Sequence, residues 1–133
     1  MADTMKVRAY AKGVDQTPRK VSLVAGLVRR RSVEDALVIL SYTPKRAAQP
    51  VIKTIESARA NAINNHGLDG KTLQISIISV TIGSRLKRYK TAGRGRVHPF
   101  EKRTSNILVE VTGDVKPKKP TSAQAKRTSK ESK

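Results

Sequence analysis

Leu73-Gln74-Ile75-Ser76-Ile77-Ile78-Ser79-Val80-Thr81-Ile82 is followed, after Gly83, by a basic run, Ser84-Arg85-Leu86-Lys87-Arg88-Tyr89-Lys90-Thr91-Ala92-Gly93-Arg94-Gly95-Arg96-Val97-His98-Pro99-Phe100-Glu101-Lys102-Arg103-Thr104-Ser105. Asn106-Ile107-Leu108-Val109-Glu110-Val111 comes next. Two apolar, β-prone stretches joined through a long polar segment predict an extended β-hairpin over 84–105. The segment holds eight Lys/Arg (Arg85, Lys87, Arg88, Lys90, Arg94, Arg96, Lys102 and Arg103) against one acid, Glu101. Leu86, Tyr89, Val97 and Phe100 are nearly its only large apolar side chains. Such a finger cannot bury a core, an isolated hairpin is marginal in water, and its like charges repel. A polyanion must hold it, and phosphate backbone is the natural candidate. With about nine residues in each arm between Arg85 and Lys102, at ~3.3 Å per residue, the finger would project about 30 Å.

The flanking runs carry further information. Leu73, Ile75 and Ile77 alternate, then the pattern slips to Ile78, Val80 and Ile82. One extra residue at that point predicts a β-bulge. Ile107, Val109 and Val111 supply the buried side of the return strand. Toward the N-terminus, Met5, Val7 and Ala9 alternate with Lys6, Arg8 and Tyr10, which predicts a strand with a basic outer face.

The helices lie between. Thr17-Pro18 opens one over Pro18–Arg30, with a capping hydroxyl and Pro in the first turn. Val21, Val24, Ala25 and Val28 follow at helical spacing, and Arg29-Arg30-Arg31 suit the negative end of its dipole. Ser32-Val33-Glu34-Asp35 resembles a capping box before a short apolar helix, Val33–Leu40. The longest helix is expected from Pro44 to Asn65, with Ala48, Val51, Ile52, Ile55, Ala58, Ala62 and Ile63 as its buried stripe. Pro50 should loosen or bend it, and Gly67 should end it in the left-handed conformation. These elements predict an α+β fold: three helices packed on a small antiparallel three-stranded sheet, with a long protruding β-hairpin. Residues 1–113 form the domain; 114–133, rich in Lys, Pro, Ser and Thr, read as a basic disordered tail.

The whole chain of 133 residues carries 28 Lys/Arg against 10 Asp/Glu, a net charge of +18. Residues 1–113 account for +13 of it, so the body itself is basic and not merely its tail. Charge of this size implies a neutralising partner. Cysteine is absent, which removes disulfides and thiolate chemistry and fits a reducing compartment. Tyr10, Tyr42, Tyr89 and Phe100 are the only aromatics, too few for a sheet-based stacking platform. No apolar run approaches a membrane span, and Met1-Ala2-Asp3-Thr4 lacks an apolar signal region.

Catalytic equipment is sparse. His66 and His98 stand far apart in the sequence, without the spacing of a metal site or a nucleophile–base pair. No cofactor, metal, membrane or small-molecule substrate is expected. Gly93-Arg94-Gly95-Arg96 lacks the Gly-Lys-Ser/Thr of a nucleotide-binding loop and reads as a turn with arginines at its tip. Five finger arginines suit bidentate phosphate pairing. Lys6, Arg8, Lys12, Arg19 and Lys20 form a second basic cluster, serving RNA contact or solubility. Tyr89 and Phe100 can stack on a base or on each other. Val33–Leu40 is too apolar to act as the recognition helix of a helix-turn-helix. The chain therefore reads as a shape-reading RNA binder, not an enzyme; a DNA-compacting protein is the nearest rival.

Thr17-Pro18-Arg19-Lys20-Val21, Leu23-Val24-Ala25, Ser32-Val33-Glu34-Asp35-Ala36-Leu37, Tyr42-Thr43-Pro44-Lys45, Ser57-Ala58-Arg59-Ala60-Asn61-Ala62, Asn64-Asn65-His66-Gly67-Leu68 and Lys102-Arg103-Thr104-Ser105-Asn106 stand in order. Together they resemble the large ribosomal subunit protein twenty-two family in its bacterial form, over about residues 5–112. The resemblance implies a structural constituent of the cytoplasmic ribosome that binds 23S ribosomal RNA, supports subunit assembly and touches neighbouring large-subunit proteins. It implies a globular part near the peptide exit and a hairpin lining the exit tunnel beside large-subunit protein four, in contact with nascent peptide. Hairpin changes in the family are associated with macrolide resistance. The matching hairpin residues are Leu86-Lys87-Arg88, Gly95-Arg96 and Lys102-Arg103-Thr104-Ser105, and the tunnel-facing tip would be Lys90, Thr91, Ala92, Gly93, Arg94 and Gly95. Ile82-Gly83-Ser84-Arg85 stands where the family often has an acid, Gly and Pro.

Overall fold

The computed structural model describes residues 5–115. Of the tail expected over 114–133, only Asp114 and Val115 are described; residues 116–133 and the N-terminal Met1–Thr4 lie outside the described residues. The order is β1 (Met5–Val14), α1 (Pro18–Val28), α2 (Val33–Ser41), α3 (Ala48–His66), β2 (Gln74–Thr91), a single 3-10 turn (Gly93–Gly95) and β3 (Val97–Gly113). The sheet is antiparallel, in the order β1-β3-β2. The α+β architecture expected from the sequence is the one observed.

The helices cover one face of the sheet. Val7, Ala9, Ile75, Ile78, Ile107, Val109 and Val111 point into the core from the strands. Val21, Val24, Ala25 and Val28 meet them from α1, Val33, Ala36 and Leu40 from α2, and Val51, Ile55, Ala58 and Ala62 from α3. The small side chains of α3 bring its backbone close to β1 and β3. Ile52 and Ile63 of the expected stripe are only partly buried, and Thr54 takes a buried place, its hydroxyl donating to Pro50 O at 2.7 Å.

Three local expectations change. Thr17 caps α1 with its carbonyl, which accepts from the Lys20 and Val21 amides at 3.1 and 3.2 Å, and not with its hydroxyl. α1 ends at Val28; of the three arginines only Arg31 reaches back, its Nε donating to Leu27 O at 3.0 Å, while Arg30 takes φ 61°. α3 begins at Ala48 rather than Pro44. Begun at Pro44, it would hold Pro50 in its interior, where the missing N–H and the ring clash break a helix. Begun at Ala48, it holds Pro50 in its first turn, where no intrahelical donor is needed. Gly67 ends it as expected, at φ 63° and ψ 26°. In α2, Ser32 Oγ accepts from the Asp35 amide at 3.1 Å and donates to Asp35 Oδ2 at 2.7 Å, so the box closes on the hydroxyl.

Both outer strands are bulged against an unbroken β3. Ile75 faces Val111 and Ile77 faces Glu110, so the extra residue is Ser76, earlier than the slip read between Ile77 and Ile78, and Ile77 turns to the open face. The register shifts again between Ile82 and Arg85 in β2 and between Ala11 and Val14 in β1. Those two shifts flank the same β3 residue, Ser105. Neighbouring side chains satisfy the freed backbone groups: Gly13 N–H donates to Asn106 Oδ1 at 2.9 Å, and Thr104 Oγ1 donates to Ser84 O at 2.8 Å. Bulges of this kind increase local twist and re-aim a strand. Here they mark where the body ends and the finger begins. β3 runs on to Gly113, Asp114 O accepts from the Asp69 amide at 2.9 Å, and Val115 bridges to Leu68.

Candidate nucleic-acid interface

Beyond the bulges, β2 and β3 pair alone. The ladder runs from Arg85↔Arg103 to Thr91↔Val97, seven pairs, without β1 or a helix against it. Seven residues at ~3.3 Å make a paired finger about 23 Å long, shorter than a division of the whole segment into two arms suggests, because the turn consumes part of it. Ala92 N–H donates to Arg96 O at 2.7 Å, and Arg96 N–H returns to Gly93 O at 3.5 Å. Arg94 and Gly95 have φ of 59° and 72°. Positive φ at both central positions is the mark of a type I′ turn, which matches strand twist. Lys90 and Thr91 are therefore still in the paired arms, and the turn proper is Gly93–Arg96.

Strand alternation sorts the finger's side chains onto two faces. Arg85, Lys87, Tyr89, Thr91, Val97, Pro99, Glu101 and Arg103 share one; Leu86, Arg88, Lys90, His98, Phe100 and Lys102 share the other. Tyr89 and Phe100 thus lie on opposite faces, so they do not stack on each other. Phe100 instead has Lys90 Nζ 5.1 Å from its ring centre, and Tyr89 stands free and well exposed.

Compensating acid is confined to the finger's base. Glu101 Oε2 lies 3.7 Å from Arg85 Nη1 and 3.8 Å from Arg103 Nε, and Asp15 Oδ2 lies 3.2 Å from Lys102 Nζ. These pairs are solvent-exposed and contribute little to stability. Lys87 faces Glu101 across the ladder without an ion pair, and farther out Arg88, Lys90, Arg94 and Arg96 form none within the described residues. Arg88 Nη1 donates to Lys87 O at 2.9 Å. The finger is thus a partly neutralised stem with a cationic outer half and tip.

The N-terminal basic cluster is split. Lys6 and Arg8 stand on the open face of β1, and Lys12 reaches back to 5.5 Å from the Tyr10 ring centre. Arg19 and Lys20 begin α1, in the helical layer on the other side of the sheet. Sequence proximity grouped five residues that the fold assigns to two surfaces. Conversely, Thr104, Ser105 and Asn106, part of one of the sequence motifs, are internal: Ser105 is fully buried, and its neighbours bind backbone at the bulges. No group of three or more His, Cys, Asp and Glu able to hold a metal occurs among the described residues. No helix there is long and apolar enough to cross a membrane.

The family model for ribosomal protein L22p/L17e matches residues 9–112, which takes in β1 from Ala9, all three helices and the finger. The chain belongs to that family. The large ribosomal subunit protein uL22 of Clostridium novyi (strain NT) is 46% identical over 107 residues, covering 80% of this chain and 96% of the relative. The family resemblance drawn from the ordered motifs is thereby borne out. As a member, the chain is a structural constituent of the large subunit of the cytoplasmic ribosome.

Proposed function

We propose that this family member binds 23S ribosomal RNA chiefly through its finger, supports folding of that RNA during subunit assembly, and presents its tip to the nascent-peptide exit tunnel. The observation that carries the reading is the outer finger: beyond Glu101, four cations (Arg88, Lys90, Arg94 and Arg96) with no carboxylate among them, on a ladder with no core beneath it. Alone in water such an element is poorly supported. Between RNA segments it gains packing partners and supplies the counter-charge that lets phosphates approach each other. The globular body anchors the finger, with Arg19 and Lys20 on α1 and Lys6, Arg8 and Lys12 on β1 as further contacts. The Gly93–Arg96 turn, with Lys90–Ala92 behind it, is the tunnel-facing part. A neighbouring ribosomal protein and the nascent peptide are its other partners.

Removing one phosphate contact flattens the dependence of log K on log salt by ~0.7–0.9. Arg88→Gln and Arg96→Gln should each show that loss in binding to transcribed 23S ribosomal RNA. An unchanged slope in both variants would remove those side chains from the interface. For the tunnel assignment, a photoreactive group at position 94 in assembled subunits should crosslink to a stalled nascent chain. Crosslinks to RNA alone would count against it.

A further inference from the structure

We infer that the open face of the sheet is a second RNA-docking surface, on which Glu110 is a positioning residue for Arg8. The inference rests on the RNA-binding reading above and names a residue that reading does not include. With the helices on one face, the other presents cross-strand rows: Lys6–Thr112–Gln74, Arg8–Glu110–Ile77 and Tyr10–Leu108–Ser79. Glu110 is the only carboxylate in these rows and is buried, its side chain 7% exposed. Arg8 lies across it with Nε 2.6 Å from Glu110 Oε1, yet its own side chain remains 69% exposed.

A carboxylate sunk into a sheet surface is costly unless paired, and an apolar β-former would fill the same place without that cost. Stability therefore does not explain the pair. Its geometric effect is to fix Arg8. Asn61 Nδ2 holds the Arg8 carbonyl from α3 at 3.4 Å, and Glu110 holds Nε from β3. A guanidinium anchored at Nε keeps its outer edge toward solvent, preset for a bidentate phosphate contact and with less rotamer freedom to lose. Glu110 is neutralised by this pairing, while Lys6 beside it has no ion pair among the described residues and Lys12 reaches over Tyr10. The face is therefore positive, complementary to phosphate.

The experiment is binding of the full chain to transcribed 23S ribosomal RNA across a salt series. Glu110→Val removes a negative charge, so a simple count of charges would tighten binding. Positioning requires the opposite: affinity falls about tenfold, and the log K–log salt slope flattens by ~0.7–0.9, as for Arg8→Gln. Glu110→Gln keeps an acceptor for Nε and retains at least the parent affinity and slope. In an Arg8→Gln background, Glu110→Val no longer weakens binding or flattens the slope further, and the removal of an unpaired negative charge can only tighten it. Glu110→Thr serves as a second truncation, and thermal melts of every variant establish that it is folded. Unchanged or tighter binding by folded Glu110→Val or Glu110→Thr overturns the inference, as does an unchanged slope for Arg8→Gln. Arg88→Gln and Arg96→Gln are run alongside. If they flatten the slope and the Glu110 variants do not, the positioning role alone fails; if none does, the RNA-binding reading fails with it.

Discussion

A Cβ placed on Gly83 would stand 2.4 Å from Thr104 Oγ1 and 3.0 Å from the Thr104 carbonyl carbon, whereas one on Gly93 would meet nothing within 4 Å. The first glycine lets β2 press against β3 at a bulge; the second lies in an open turn. Gly83→Ala must therefore move the Thr104 backbone, not just a side chain. It should lower stability by about 1–3 kcal/mol, with Gly93→Ala within about 0.5 kcal/mol of the parent; thermal or urea unfolding would show the difference. The positions that sequence reading served best were those with a single physical demand. Gly67 is one, needed for its left-handed φ; Ser32 is another, needed for a free helix amide. It served worst where a polar residue has two plausible jobs. Thr104 and Asn106 stand beside Lys102 and Arg103 in a motif read only as a mark of the family, and their side chains hold bulged backbone. Nothing in composition distinguishes a threonine that meets phosphate from one that meets a carbonyl.

At the scale of elements, the start of α2 is where the helical layer is tied to the sheet. The Val33 amide donates to Leu73 O at 3.0 Å, the Ile75 amide to Arg31 O at 2.9 Å, and Ser32 bridges to Gln74. Ser32→Ala removes the acceptor for the Asp35 amide and the donor to its carboxylate. It should cost about 1 kcal/mol, the usual worth of an N-cap, read as a lower urea midpoint with an unchanged m-value. Element types and their order were legible because each had its own periodicity: alternation in β1 and β2, helical spacing in α1 to α3, and one slipped residue just after the Ser76 bulge. Boundaries were less legible. Pro44 reads as the opener and Pro50 as a bend inside the helix, whereas a first turn tolerates proline and an interior does not, which suits the observed start at Ala48. The bulge at Gly83–Ser84 was missed because it falls where apolar alternation has already given way to charge.

For the whole molecule, net charge of +18 is set, among the described residues, against a scatter of exposed ion pairs and the one pair with a buried carboxylate, Arg8–Glu110. Self-repulsion therefore opposes folding of the free chain, and salt should relieve it. The melting temperature of the isolated protein should rise between low and about 0.5 M monovalent salt, where charges more than a few ångströms apart are screened. A falling melting temperature would mean that the exposed pairs outweigh the repulsion. That the chain meets a polyanion was legible from charge alone, and that this charge sits on a finger was legible from its two flanking runs. How the charge divides between two faces, a turn and an open sheet surface was not, because those assignments depend on cross-strand register. A single bulge inverts register beyond it.

The strand order β1-β3-β2 also has a consequence in time. Among the described elements β3 is the last made, and it is the strand that hydrogen-bonds to β1 as well as the partner of β2 along the whole finger. The register couples Met5 to Gly113, nearly the full length of the described chain. Until β3 leaves the ribosome that synthesises it, the earlier two strands have no sheet to join, and the three helices have only each other to cover their apolar faces. Closing so long a loop is slow compared with forming local turns. β1 therefore stays without its sheet partner until β3 has been made, and the three-stranded sheet closes late. An RNA that captured the N-terminal strand before then would be competing with β3 for the same residues.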